Sequence, residues 1–315
     1  MLVERITQDD ADRAASLLAD RLAREIQAGR PWRRSFIAPG PLAGLLRRSA
    51  AGPDGRISER GTTAGFIHAT ERRDPPWLPS MWIDYLDHAA TSAEAYRYLY
   101  ADAASEWVAR GCMDHYVVVP ALDDVVEAFF ELGFGLEQVY AIRSLDEVEV
   151  RDGPGVIVRR GVADDLPGLM HVLDLIAVYQ EGSPVFGVNT ITQEELEEGH
   201  RELLEDPATM YWVAQKGEGL VGYAIFEPID LDRDPYLPER TIALNVAAVA
   251  EGERRTGIGS ALTSAGLRAA SQQGFTHCIT DWRSPNLTSG PVWTRWGFEP
   301  YAYRLHRTID PRLAP

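Results

Sequence analysis

The clearest chemical signal in the sequence is a short glycine-containing turn at residues 254–260, which reads Arg-Arg-Thr-Gly-Ile-Gly-Ser. The turn follows an apolar run and opens a segment whose apolar residues recur at helical spacing. Such a turn exposes backbone N–H groups at the positive end of a helix, where a phosphate or pyrophosphate can bind. Gly257 and Gly259 let a bulky anion approach the backbone, and Arg254 or Arg255 adds positive charge. The turn therefore predicts an anion site, and a helix start without a ligand is the alternative.

Glycine spacing separates this turn from two common nucleotide sites. A P-loop has four residues between its glycines, followed by Gly-Lys-Ser/Thr, whereas a single residue separates Gly257 from Gly259. The dinucleotide fingerprint has a third glycine that is missing here. A nucleotide-phosphate enzyme would also need an acidic metal-binding motif, so this class is disfavoured.

The elements around the turn can be predicted from the spacing of apolar residues. Residues 164–178 are expected to form an amphipathic helix, and the acidic stretch 192–206 is expected to form a second helix. Residues 211–215 and 220–226 are expected to form a hairpin, because glycines lie between them. The uninterrupted apolar run 241–249 predicts a central strand buried on both faces. The anion site would therefore lie where a central strand leads into a helix.

Three landmarks recur in the same order in both halves of the chain. A short strand followed by two Asp residues begins each half, at residues 3–10 and 158–165. A helix end at Gly111 or Gly274 then precedes an apolar strand, and a short helix stops at Gly133 or Gly297. Gly274 follows Gly111 by 163 residues, close to half the chain, which indicates a tandem repeat. We therefore predict domains at 1–145 and 156–315, joined by a connector at 146–155.

Composition excludes several classes of protein. The 315 residues are 45% hydrophobic and 25% charged, as in an ordinary globular chain. The net charge of −16 argues against nucleic acid as a partner. No apolar run is long enough to span a membrane, and the charged N-terminus is unlike a signal peptide, so we expect no membrane partner and a cytoplasmic protein. The two cysteines, Cys112 and Cys278, cannot form a four-ligand metal site, and we expect no metal and no disulfide framework.

Motifs in the C-terminal half resemble those of the GNAT superfamily of acyl-CoA N-acyltransferases. Arg254-x-x-Gly257-x-Gly259 matches the family's R/Q-x-x-G-x-G/A motif. Residues 279–286 resemble its fifth strand with the Asn that follows, and residues 292–298 resemble its apolar-aromatic-x-x-x-Gly-Phe ending. The resemblance covers residues 156–308. It implies an α/β (α+β) fold of two tandem GNAT-like domains, each a mixed, mostly antiparallel sheet flanked by helices.

The resemblance also implies an acetyl-CoA site in the C-terminal half. Backbone groups of Ala247, Ala248 and Val249 would pair with the pantetheine arm like an added strand, in the gap between splayed fourth and fifth strands. Amides of the turn would hold the pyrophosphate, and Asn286 would contact the far end of the arm. The residues expected to bind the cofactor are Ala247, Ala248, Val249, Arg254, Arg255, Thr256, Gly257, Ile258, Gly259, Ser260, Asn286 and Trp293.

Acyl transfer from a thioester needs a neutral amine, a polarised carbonyl and a proton for the leaving thiolate. Asp281 stands where some family members have a Glu as general base, and burial would raise its pKa into a useful range. A structural Asp bonded to a backbone amide or to Arg283 is the alternative. Trp293 stands where many members have the Tyr that protonates the thiolate, which an indole cannot do. Tyr301, Tyr303 or water would be the remaining proton donors.

Two further glutamates are candidates to bind a cationic acceptor. Glu181 lies between the first two predicted helices of the C-terminal half, where family members build the acceptor pocket, and Glu227 follows the predicted hairpin. Solvation on the surface is the alternative for both.

The N-terminal half is expected to lack a cofactor site. Aligning Gly111 with Gly274 places Glu94 and Tyr96 where Gly257 and Gly259 stand. A carboxylate there would repel a pyrophosphate, and a phenol ring would fill its space. The aromatic residues Trp77, Trp82 and Tyr85 are expected to pack in the core or to line an interface.

The resulting prediction is transfer of an acetyl group from acetyl-CoA to a primary amine of a small molecule, by direct attack in a ternary complex. Two alternatives remain open. The acceptor could be a protein or peptide N-terminus, or the chain could be a non-catalytic acyl-CoA-binding sensor, which the missing Tyr makes conceivable. The sequence leaves open the acceptor, the length of the acyl group and the oligomeric state.

Overall fold

The computed structural model describes residues 2–49, 53–74 and 79–314. Through residue 144 the elements are β1 Val3–Arg5, α1 Ala11–Gln27, α2 Pro39–Ser49, β2 Arg56–Arg60, β3 Thr63–Ile67, β4 Thr70–Arg72, β5 Ser80–Ile83, β6 His88–Ala90, α3 Ala93–Ala109, β7 Asp114–Pro120, α4 Asp123–Glu131 and β8 Gly135–Ser144. The later elements are β9 Ile157–Arg160, α5 Leu166–Leu169, α6 Leu175–Glu181, α7 Gln193–Glu205, β10 Met210–Lys216, β11 Gly219–Pro228, β12 Thr241–Val249, α8 Ile258–Gln272, β13 His277–Arg283, α9 Ser289–Arg295 and β14 Glu299–Thr308.

The chain forms two compact units that interleave in sequence. The first comprises Met1–Tyr140, Pro235–Leu237 and Pro300–Pro315, and the second comprises Ala141–Asp234 and Pro238–Glu299. Nearly all of β14 therefore belongs to the first unit, although it ends the second half of the sequence. Each compact unit is built from more than one segment of the chain, so the units do not correspond to one division point in the sequence. The predicted domain boundaries, 1–145, 146–155 and 156–315, therefore stay a prediction about the sequence repeat.

The second unit is a mixed, mostly antiparallel sheet with helices on both faces. Its strands lie in the order β9, β10, β11, β12 and β13, and each neighbouring pair is antiparallel except the parallel pair β12 and β13. Helix α8 packs closely on one face, because Gly266 lies against the Phe226 ring where a Cβ would clash. On the other face Leu169 of α5 packs with Tyr223 and Ile225 of β11. The predicted fold class is confirmed for this unit.

The first unit has the same mixed character. One antiparallel sheet has the strand order β1, β2, β3 and β6, and a second runs β4, β5, β7 and β14 with a parallel pair between β5 and β7. Trp107 and Tyr96 of α3 and Phe129 of α4 pack against Val117 and Val119 of β7. Both units thus build their core between a sheet and the helix that follows its central strands.

The landmarks of the predicted repeat have matching local structure. Gly111 and Gly274 end α3 and α8 at φ of +82° and +83°, and Gly133 and Gly297 follow α4 and α9 at +84° and +76°. Side chains rarely adopt these left-handed angles, so glycine is required at each helix end. The sequence signals therefore reflect a real conformational need in both halves.

Most elements of the C-terminal half match their predicted limits, with two corrections. The helix predicted over 164–178 is two short helices, α5 and α6, separated by a turn. Pro167 and Gly168 stand in the first turn of α5, and Gly168 lowers helix propensity there. The strand β12 has its predicted limits but is not buried on both faces, because Asn245 is exposed. The hairpin of β10 and β11 and helix α7 are confirmed.

The aromatic residues singled out in the N-terminal half belong to the core of the first unit. The Trp82 ring stacks on Tyr116 with ring centroids 4.1 Å apart, and Tyr85 lies 4.6 Å from Tyr236. Both Trp82 and Tyr85 are buried. Core packing is therefore confirmed for these two, and Trp77 lies outside the described residues.

The predicted connector packs along helix α8 within the second unit. The Ser264 hydroxyl of α8 accepts a hydrogen bond from the Arg151 amide at 3.0 Å and donates one to the Glu149 carbonyl at 2.8 Å. Ser271, near the end of the same helix, donates to the Leu145 carbonyl at 3.1 Å. The segment therefore supports the helix whose start forms the predicted anion site.

Candidate functional site

The two central strands of the second unit separate partway along their length. Parallel pairing joins Thr241 through Leu244 to His277 through Thr280 and ends there. The Thr280 hydroxyl closes the pairing by donating to the Leu244 carbonyl at 2.9 Å. Beyond this point β12 continues to Val249 and is paired with β11 alone. A gap bounded by a free strand edge therefore opens beside Val246–Val249, as the family resemblance implies.

The free edge leads directly into the predicted anion turn. Residue Gly257 is the N-cap of α8 and has φ of +93°, so this position requires glycine. No side chain caps the first turn of α8, which leaves the N–H groups at its start without an intrahelical acceptor. Arg255 also adopts a left-handed φ of +64°, a conformation that costs a non-glycine residue about 1–2 kcal/mol. The turn is a strained, solvent-facing set of amide donors.

Two contacts hold the turn to its surroundings. The Arg254 guanidinium reaches back to the Val249 carbonyl at 3.4 Å and lies 5.7 Å from the Tyr179 ring of α6. A Cβ at Gly222 would approach the Ala248 carbonyl to 2.7 Å, so glycine is needed where β11 passes the free segment of β12. By contrast, a Cβ at Gly259 would make only an ordinary contact of 3.6 Å. Glycine is therefore required at Gly222 by close packing and at Gly257 by its φ, whereas neither reason applies to Gly259.

Asn286 and Trp293 have structural contacts of their own. The Asn286 side-chain oxygen accepts hydrogen bonds from the Thr288 and Ser289 amides at 3.0 and 3.1 Å, which holds the start of α9. The Trp293 ring is buried and packs edge-on against Phe298 at 5.9 Å. Contact of either residue with a cofactor stays a prediction.

The candidate general base is more exposed than expected. Asp281 is the first residue of β13 after the pairing with β12 ends, and its side chain is exposed. The burial invoked to raise its pKa is therefore absent. Glu227 is half-buried near the end of β11 and accepts a hydrogen bond from the Asn245 side-chain amide. Sequence reasoning missed Asn245, although a polar residue inside the apolar run Thr241–Val249 was the available signal.

Glu181, Tyr301 and Tyr303 complete the set of predicted site residues. Glu181 is exposed at the end of α6. Tyr301 is buried in the first unit, edge-on to Trp32 at 5.3 Å. Tyr303 also belongs to the first unit, and burial raises its pKa above the ordinary value, so its proton is retained at neutral pH. Their roles in catalysis stay predictions.

The part of the first unit that corresponds to the continuous strand β12 is interrupted and forms two strands, β5 and β6. Strand β5 pairs with β7 in parallel, as β12 pairs with β13, and β6 pairs with β3, as β12 pairs with β11. The intervening residues 84–87 form a turn. Past this turn, His88 fills the space beside β7, because its Nε2 lies 2.9 Å from the Val118 carbonyl and its Nδ1 lies 3.1 Å from the Tyr96 hydroxyl. Both side chains are buried.

The helix start in the first unit is also satisfied internally. Ser92, the N-cap of α3, has an extended backbone and accepts from the Ala95 amide at 3.3 Å. Glu94 stands exposed in the first turn, where it adds negative charge. At the corresponding positions, which the structure describes, the first unit has a serine-capped helix start and a buried histidine in place of the glycine turn and the open strand edge.

Comparison with known proteins agrees with this geometry. Residues 175–298 match the model of the acetyltransferase (GNAT) family. The human protein N-acetyltransferase 8 is 30% identical over 99 residues, which cover 31% of this chain, and the chain spans 42% of the length of that curated relative. The crystal structure of a GCN5-related N-acetyltransferase from Sphaerobacter thermophilus is 14% identical, covers 100% of this chain and 96% of its own, and has a TM-score of 0.58. A tandem GNAT protein from the clavulanic acid biosynthesis pathway is 15% identical, with a TM-score of 0.49 over 98% of this chain and 99% of its own.

The turn after β12 and the open strand edge both lie within residues 175–298, the part of the chain that is similar to the acetyltransferase (GNAT) family. Among the described residues, no helix is long and apolar enough to cross a membrane.

Proposed function

We propose that the chain is an N-acetyltransferase that moves an acetyl group from acetyl-CoA to a primary amine of a small molecule. The observation that carries this proposal is the open edge of β12 beyond Leu244, which runs directly into the uncapped start of α8. Extended backbone and free helix-terminal amides suit an amide-containing arm that ends in a pyrophosphate. We propose one cofactor site per chain, because His88, Tyr96 and Ser92 occupy the corresponding positions of the first unit.

The residues near the gap suggest how the chemistry would proceed. Bound acetyl-CoA supplies the acetyl group as an activated thioester. Val246–Val249 would hold the arm through backbone groups, and the amides of 256–260 would bind the pyrophosphate. A carboxylate of Asp281 or Glu227 would take the ammonium proton, after which the amine nitrogen forms the bond to the acetyl carbon as the carbon–sulfur bond breaks. The thiolate would take a proton from a tyrosine or water, and the amide nitrogen would give its second proton back to that group, since the Trp293 indole N–H is not acidic at neutral pH.

Calorimetric titration with acetyl-CoA tests the cofactor site. Gly257→Glu should abolish binding, because it places a carboxylate in the turn and strains a backbone whose φ is +93°. Gly259→Ala is the milder change in the same turn and should retain binding, because it adds no charge, meets only an ordinary contact of 3.6 Å and matches the Gly or Ala of the family motif. Glu94→Gly in the first unit should not create a second site. Absence of binding to the wild type, or unchanged binding to Gly257→Glu, would refute the cofactor assignment.

Turnover is tested separately by measuring free thiol released from acetyl-CoA in the presence of primary amines. Release that requires an amine supports the acetyltransferase proposal. Tight acetyl-CoA binding with no release for any small amine or peptide N-terminus would favour a non-catalytic sensor instead, in keeping with Trp293 at the position of the usual acid. Release with peptides alone would favour an N-terminal acetyltransferase.

A further inference from the structure

A single-residue bulge interrupts the ladder between β11 and β12 next to the gap. Ile225 lies opposite Val246, and Phe226 lies opposite Leu244, so Asn245 is the extra residue on β12. Pairing of β12 with β13 ends at Leu244, one residue earlier. Bulges re-aim side chains and are often found beside active sites. Asn245 is thus the first residue of the free segment, and it is exposed although its neighbour Leu244 is buried.

Glu227 shares the face of the sheet to which Asn245 is directed. Phe226 points toward α8, because its ring lies against Gly266. Alternation along β11 therefore directs Glu227 to the opposite face, with Ile225. The Asn245 side-chain amide donates a hydrogen bond to one Glu227 carboxylate oxygen across the two strands. Thr280 pairs with Leu244, which lies opposite Phe226 and therefore shares the α8 face. The next residue of β13, Asp281, is directed to the opposite face, together with Glu227.

Glu227 and Asn245 together present hydrogen-bond acceptors to a ligand. Among the described residues, no charged side chain donates a hydrogen bond to them. In the ranges that the structure describes, Glu227 and Asn245 have this one side-chain hydrogen bond. The second carboxylate oxygen of Glu227 and the amide oxygen of Asn245 thus remain available as acceptors. A primary ammonium has three N–H donors and a positive charge, which matches adjacent carboxylate and amide oxygens.

We propose that Glu227 and Asn245 form the ammonium-binding element of the acceptor site, with Asn245 as the residue that positions the Glu227 carboxylate and supplies a second acceptor. This inference deepens the proposed function, because it names primary alkylammonium ions as the class that the site recognises. A quaternary ammonium carries the same charge but has no N–H to donate, so the site discriminates against it. The element needs no acetyl-CoA to bind the cation.

The test uses selective labelling of the intact protein. The chain has three asparagines, Asn189, Asn245 and Asn286, so ¹⁵N-asparagine labelling gives three side-chain amide signals. An Asn245→Leu variant identifies the Asn245 signal by its absence. Titration with butylammonium should shift that signal and saturate. Tetramethylammonium at the same concentrations should leave it in place, because it cannot donate a hydrogen bond.

Variants separate the roles of the two residues. Glu227→Gln should weaken butylammonium binding by about tenfold or more, the scale of one hydrogen bond to a charged group. Glu218→Gln is the matched control, since Glu218 is an exposed carboxylate at the other end of β11 and should leave the affinity unchanged. Asn245→Leu, followed by calorimetry, should also lose affinity, and Asn245→Gln should restore part of it.

Three results would overturn the proposal. They are no saturable shift of the Asn245 signal with butylammonium, an equal shift with tetramethylammonium, or equal weakening by Glu218→Gln and Glu227→Gln. Failure of the proposed function has a different signature, because acetyl-CoA binding is measured on the same preparations. Loss of acetyl-CoA binding with retained butylammonium binding would refute the cofactor site alone.

Discussion

The two glycines of the anion turn should respond oppositely to the same substitution. Gly257 has φ of +93°, and an added Cβ would meet Pro154 at an ordinary 3.5 Å, so backbone strain is the main cost of Gly257→Ala. That strain is about 1–2 kcal/mol in the free energy of unfolding. Gly259 lies inside helix α8, with its nearest neighbour, Val249, at 3.6 Å. Gly259→Ala should therefore stabilise the fold by about 0.5–1 kcal/mol through lower backbone entropy in the unfolded chain.

The expected difference between the two variants is about 2 kcal/mol, the sum of one loss and one gain. Urea unfolding of both variants beside the wild type measures it. Repeating the series with saturating acetyl-CoA extends the test, because a ligand stabilises the folded state according to its affinity. The gain on adding acetyl-CoA should be smaller for Gly257→Ala than for Gly259→Ala. Equal stability of the two variants would show that the left-handed turn is not the conformation in solution.

Three further predictions concern packing, the connector and pH. Gly266→Ala drives a Cβ into the Phe226 ring and should lower the free energy of unfolding by about 1–3 kcal/mol. If adding Phe226→Leu to this variant recovered no stability, the clash would not be the cause. Ser264→Ala removes two hydrogen bonds to the connector and should cost about 1–2 kcal/mol by the same measurement, whereas a neutral result would mean that the connector is not held there. Burial lowers the pKa of His115 from 6.5 to about 4. Between pH 7 and pH 5 this histidine therefore takes up a proton in the unfolded chain but not in the folded one. The free energy of unfolding should fall by about 2 kcal/mol over this range. A His115→Gln variant with the same pH slope as the wild type would contradict that assignment.

Much of the site could be predicted because its signals are local. The limits of β12 follow from its apolar run, and the glycines at 111, 133, 274 and 297 mark helix ends that need left-handed angles. The turn at 254–260 combines glycine with a helix start, and the prediction of an anion site rests on backbone geometry that only a few neighbouring residues decide.

Other features depend on partners that are distant in sequence. The bulge at Asn245 is a property of two paired strands, and the run Thr241–Val249 alone does not show which residue is extra. Exposure of Asp281 depends on where the pairing of β12 and β13 ends. The connector reads as a loop by its glycines and proline, yet its hydrogen bonds come from Ser264 on a helix more than a hundred residues later. The local sequence pattern does not indicate contacts between residues that are distant in sequence.

Nearly all of strand β14 belongs to the first unit, and this affects when that unit can fold during synthesis. Strand β7 has β5 on one edge and β14 on the other, and the β14 residues Ala302–Thr308 follow the whole second unit in sequence. The first unit therefore cannot finish its sheet until the ribosome has made the second unit as well. Until then one edge of β7 is unpaired, and an unpaired edge can recruit strands from other molecules. Loss of the final fifteen or so residues would consequently damage the N-terminal unit, far from the deletion in sequence.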